Sequence, residues 1–77
     1  MGIFSAIGDG KWAAHAVRIM AEKLGVPVSA LPDYVGSAAQ KSASRNRKVG
    51  QTPEQYADLI VREYGKQILE EISKERS

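Results

Sequence analysis

The stretch Thr52-Pro53-Glu54-Gln55-Tyr56-Ala57-Asp58-Leu59-Ile60-Val61-Arg62-Glu63-Tyr64 decides the fold class. Thr52 has the hydroxyl of a helix N-cap, and Gln55 completes a capping box three residues on. Pro53 occupies the first turn, where its missing N–H costs no hydrogen bond. Glu54 places a negative charge at the positive end of the helix dipole. Apolar side chains then recur at Tyr56, Leu59, Ile60, Tyr64, Ile68 and Ile72, with Val61 and Leu69 on the flanks. That spacing has the 3.6-residue period of a helix, predicted over 53–74. Its apolar face drifts round the helix by more than a quarter turn. One neighbouring helix does not cover such a face, so two contacts or a second copy of the chain are expected. Gly65 lies on the polar side of this projection, either as a tolerated interior residue or as a break that splits the helix, and one long helix is the favoured expectation.

Upstream, residues 11–24 project as a second amphipathic helix. Trp12, Ala13, Ala16, Val17, Ile19, Met20 and Leu24 share one face, and Lys11, His15, Arg18 and Glu22 the opposite stripe. Asp9 or Gly10 is suited to cap its start, Gly25 to the left-handed stop position, and Pro27 follows as a breaker. A weaker helix is predicted over 30–43, capped by Ser29 with Pro32 in its first turn. Its shared face of Leu31, Val35, Ala38, Ala39 and Ser42 is built of small residues, so it should lie close to its neighbours. The polar, basic stretch 41–50 reads as an exposed loop. Ile3, Phe4 and Ile7 form an apolar cluster ahead of the first helix, read as a short extra helical turn. The fold expected is all-α: a compact three-helix domain spanning 1–77, with a long C-terminal helix. Its predicted core is Trp12, Ala16, Ile19, Met20, Leu24, Leu31, Val35, Tyr56, Leu59, Ile60, Tyr64 and Ile68.

Size makes such a core lean. A chain of 77 residues buries only about 60% of the surface its unfolded form exposes. Apolar residues make up 43%, but ten of them are Ala, and Leu, Ile, Val and Phe together number only 17. The formal net charge of +2 does not hold the chain open. Cysteine is absent. A disulfide framework and a thiolate metal site are therefore excluded, and a reducing, cytoplasmic setting is expected. No uninterrupted apolar run exceeds four residues, far short of a membrane span. The N-terminus lacks the basic start and long apolar stretch of a signal peptide.

Catalytic sets are equally thin. The single histidine, His15, lies on a polar stripe beside Lys11 and Arg18 and reads as a solvated residue. Glu54 and Asp58, one turn apart, read as acids that favour a helix N-terminus rather than as a cation site. Gly8-Asp9-Gly10-Lys11 lacks the spacing of a phosphate loop, and no Gly-x-Ser-x-Gly elbow occurs. No enzyme activity, cofactor or metal is expected.

Binding remains, in two forms. The leading expectation is a small intracellular protein that acts through protein–protein interaction, as an adaptor, inhibitor or regulatory subunit. A lean chain gains stability by burying surface on a partner, and Tyr, Trp and Arg are the side chains that dominate such interfaces. Tyr34, at the edge of the second helix's apolar face, is the aromatic expected to be exposed. Homodimerisation through the C-terminal helix is a variant of this reading. The alternative is nucleic-acid binding, to DNA or RNA. Ala21-Glu22-Lys23-Leu24-Gly25-Val26, with Leu31 six residues past the glycine, resembles the turn of a helix-turn-helix, which would imply a following recognition helix. That following segment exposes Asp33, Gly36, Ser37 and Gln40, and no cation precedes Lys41. The basic stretch is the better candidate. Lys41, Arg45, Arg47 and Lys48 offer four cations without an intervening acid, and Lys11 and Arg18 extend the patch. The same arginines serve a protein interface equally well. A membrane-surface role for Gly2–Leu24 is weakened by Asp9 and Glu22 on its polar face.

Overall fold

A computed structural model describes the backbone from Gly2 to Arg76 and the side chains from Gly10 to Glu75. Three helices, α1 (Gly2–Leu24), α2 (Asp33–Lys48) and α3 (Pro53–Arg76), follow one another, with a single 3₁₀ turn at Val28–Ala30 between the first two. Among the described residues there is no strand, so the all-α, three-helix architecture stands.

Both joints end in the same device. Gly25 and Gly50 have φ of 73° and 80°, the left-handed region open to glycine. At the first, Val26 N–H donates to the Ala21 carbonyl and Gly25 N–H to that of Glu22. At the second, Gln51 N–H donates to the Asn46 carbonyl and Gly50 N–H to that of Arg47. These are Schellman stops, which satisfy carbonyls that a helix end otherwise leaves bare. The start of α3 is closed from the other side. Thr52 N–H donates to Gln55 Oε1 at 3.0 Å, and Gln55 N–H donates to Thr52 Oγ1 at 3.1 Å. The capping box lies where the sequence predicts it.

Several expected boundaries move. The first helix does not begin at Lys11 after a separate turn; α1 runs unbroken from Gly2, and Asp9 and Gly10 lie inside it rather than capping it. The side chains of Ile3, Phe4 and Ile7 lie outside the described residues. The second helix starts later than expected, at Asp33, with Pro32 as its N-cap residue instead of a first-turn position. The connection Gly25–Pro32, with its 3₁₀ turn, is also longer than the three- or four-residue turn of a helix-turn-helix. The largest correction is at the other end. Residues 41–48 are not a loop, because α2 continues to Lys48. Ala39 and Ala43 carry the buried stripe of Val35 onward at helical spacing, and Arg45, Arg47 and Lys48 stand at the negative end of the dipole, where cations are favourable.

α1 is the element on which both others pack. Trp12 packs its ring on Tyr56 with centroids 5.3 Å apart, and its Nε1–H donates to the Gln51 carbonyl at 3.2 Å. Lys23 pairs with Asp58 at 3.7 Å, and the Leu24 side chain lies against Gly65. Contacts therefore advance along α1 and α3 together, so these two run parallel while α2 runs back between their ends. The buried set includes Ala13, Ala16, Ala21, Ala39, Ala43 and Ala57, and among the described residues only Met20 and Ile68 are large and fully buried. Alanine faces let helix axes approach closely at the cost of little apolar bulk.

The expected core is correct at Trp12, Ala16, Met20, Val35, Tyr56 and Ile68, while Ile19, Leu24, Leu31 and Ile60 are partly buried against it. Leu59 and Tyr64 are corrections, at 40% and 50% exposed. α3 is rotated so that Ala57, Gly65, Ile68 and Ile72 face inward. Gly65 is on the packed side rather than the polar one. A Cβ there would lie 3.3 Å from the tip of the Leu24 side chain, a tight contact that Leu24 would have to yield to. The helix does not break at this residue.

Candidate functional site

α2 and α3 hardly meet each other. The consequence is a groove between them, of about 350 Å³. Its floor is Met20 of α1. Tyr34, Val35 and Ala38 form the α2 wall, and Tyr56, Ile60, Tyr64, Gln67 and Ile68 the α3 wall. The α3 wall repeats at i, i+4, i+8, a second stripe beside the one buried on α1. Of this stripe Tyr56 and Ile68 are buried in the core and Ile60 is partly buried against it, while Tyr64 stands half out of it. On the facing side α2 offers Tyr34, the buried Val35 and the small Ala38.

Two tyrosines stand on the rims. Tyr34 is 47% exposed and Tyr64 50%. The Tyr34 hydroxyl is held above its ordinary pKa of 10.0 by partial loss of water, by its hydrogen bond to the Glu71 carboxylate and by that carboxylate's charge. The contact links the first turn of α2 to the C-terminal third of α3.

The cations sort themselves by helix geometry. Lys41, Arg45 and Lys48 are exposed at i, i+4 and i+7, on one stripe of α2 with Tyr34 a further seven residues back. Arg47 is also exposed but lies off that stripe. Lys11 and Arg18 are exposed on α1, seven residues apart on its own outer face. Arg18 borders a shallow furrow between α1 and α2, with Ala13, Val17, Gly36 and Gln40. Of the seven residues singled out in the sequence, the fold gathers Tyr34, Lys41, Arg45 and Lys48 on one helix face and leaves Lys11 and Arg18 on another element.

A third depression, between α1 and α3, is lined by His15, Glu22, Lys23, Glu54 and Asp58. It is open to water, and Asp58 is taken up by Lys23 and by Arg62, whose Nη2–H donates to it at 3.0 Å. Among the described residues no three His, Cys, Asp or Glu side chains converge as a metal site requires. Among the same residues, no helix is long and apolar enough to cross a membrane.

The chain matches no protein family, no curated protein and no solved structure. Its function is therefore argued from the groove and the charges around it. Sequence reasoning missed Tyr64 and Ile60 as rim and wall. The available signal was the width of the apolar face on the third helix, set against the small residues of the second.

Proposed function

We propose that this chain is a non-catalytic cytoplasmic binding protein that works through protein–protein interaction, as an adaptor, inhibitor or regulatory subunit, by seating part of a partner in the groove between α2 and α3. The observation that supports this is the unfilled apolar groove itself: a sealed Met20 floor, an aliphatic wall and two half-exposed tyrosines. Tyr34 and Tyr64 stand half-exposed on the rims with Ile60 only partly buried behind them, and covering them with a partner removes that apolar surface from water. The test is capture from host lysate with the tagged chain and its Tyr64→Glu variant, each with and without nuclease. Proteins retained after nuclease and lost with the variant are the expected result. Retention that ignores the variant removes the groove from the mechanism.

A second reading has its own support. The helical course of α2 aligns Lys41, Arg45 and Lys48 into a cationic stripe, which suits a phosphate backbone better than a loop would. If this is the function, capture fails after nuclease, and replacing the three cations with Ala lowers DNA or RNA affinity and flattens its salt dependence.

A further inference from the structure

We propose that the groove between α2 and α3 receives one helix of a partner protein whose charge is graded along its length, acidic toward its N-terminus and basic toward its C-terminus, and which lies parallel to α3. This rests on the groove reading above and names the partner's chemistry.

Helical form follows from the walls. All three helices satisfy their own backbone groups, so no strand edge is available for an extended peptide to pair with. What the groove offers is side-chain surface spaced at i, i+4 and i+8 along α3, which matches the knobs of another helix.

The charge gradient follows from the two ends. Lys41 stands three residues beyond Ala38 of the groove wall, and Arg45 and Lys48 continue the same exposed stripe toward the end of α2. The α3 wall residues nearest this end, Tyr56 and Ile60, carry no charge. At the opposite end Glu71 sits at the Tyr34 hydroxyl. Glu63 and Glu70, four residues before and three after the wall residue Gln67, are exposed on its stripe. Lys74 on that stripe and Lys66, three residues after Glu63 and four before Glu70, are the exposed cations beside these acids. Glu63, Glu70 and Glu71, three acids against two cations, leave this half net negative by one charge. The groove is thus cationic where α2 ends and α3 begins, and anionic where α2 begins against the second half of α3. A helix tolerates acids best at its N-terminus and bases best at its C-terminus. Its acidic N-terminal half therefore lies on Lys41, Arg45 and Lys48, which sets its direction parallel to α3.

The test uses the full chain and a display library of helical peptides of about 18 residues, with Leu fixed at i, i+4, i+7 and i+11 and all flanking positions random. A chain blocked by Ala38→Glu and Tyr64→Glu provides counter-selection. Both positions are exposed, and circular dichroism checks that the blocked chain is folded. Winners should carry Asp and Glu in the first half and Lys and Arg in the second. They should bind about tenfold more tightly than isomers with the charge order reversed, and lose about tenfold on Lys41→Glu with Arg45→Glu. Winners with no charge order, or the opposite one, overturn the graded helix while the groove reading survives. If no peptide distinguishes the chain from its blocked form, both fall. A chain that sediments as a dimer through Tyr64, or one in which duplex DNA moves the Lys41, Arg45 and Lys48 amide resonances at lower concentration than any winner, overturns the proposal in favour of that occupant.

Discussion

Tyr34 shows how one residue joins two elements. Its ring lines the groove, and its hydroxyl reaches Glu71 across the gap between α2 and α3. Because the folded-state pKa is raised, the fold favours the neutral phenol. That contribution is whole below pH 10 and fades as pH climbs through the raised value. The urea midpoint measured from pH 8 to pH 11 should therefore fall more steeply for the native chain than for Tyr34→Phe, which has nothing to ionise. Parallel slopes would mean that the Glu71 contact carries no weight. Neither partner marks the other in the sequence: 37 positions separate them, and only the antiparallel return of α2 brings them together.

At the scale of the element, the third helix was legible in advance because its signals are local. Thr52, Pro53 and Gln55 act on backbone groups within one turn, and the capping box forms as the pattern implies. The second helix was legible only in its first half. From Lys41 to Lys48 the residues are polar and basic, which describes an exposed loop and an exposed helix end equally well. What selects the helix is Ala43, fully buried on α1 and reachable only if α2 keeps its pitch past Ala39. The two descriptions differ sharply under one substitution. Ser44 is exposed, so Ser44→Pro would be nearly silent in a loop. Inside α2 it removes a hydrogen bond and clashes with the preceding turn, and the expected loss is about 3 kcal/mol or more by chemical denaturation. A loss below about 1 kcal/mol would restore the loop.

For the whole molecule, α1 packs on both other helices, while α2 and α3 touch each other little and flank a groove floored by Met20. Its dimensions, 45 × 20 × 16 Å, are those of an elongated body, and among the described residues its large, fully buried side chains are Met20 and Ile68. This separates stability from binding surface. Ile68→Ala empties a fully buried site and should cost about 2–5 kcal/mol. Tyr64→Glu, on the half-exposed rim, should shift stability by no more than about 0.5 kcal/mol. Equal losses at the two positions would show that Tyr64 is core in solution and that the groove is closed.

Sequence alone determined the helical class, the number of helices, the glycine stop of the first and the cap of the third, because periodicity, turn chemistry and capping act over one or two turns of chain. It also marked the run of cations from Lys41 to Lys48 and the wide apolar face of helix three. Tertiary structure decided which stripe of that surface is buried. α1 seats on the face containing Ala57, Gly65, Ile68 and Ile72, with Leu24 close against Gly65, and this leaves Tyr64 on the rim. It also decided that the basic stretch is helix and that its charges share a face with Tyr34. The physical reason is the same in both cases: close packing is set by the volume left between helices, a property of pairs of elements distant in sequence, whereas pitch and caps belong to each element by itself.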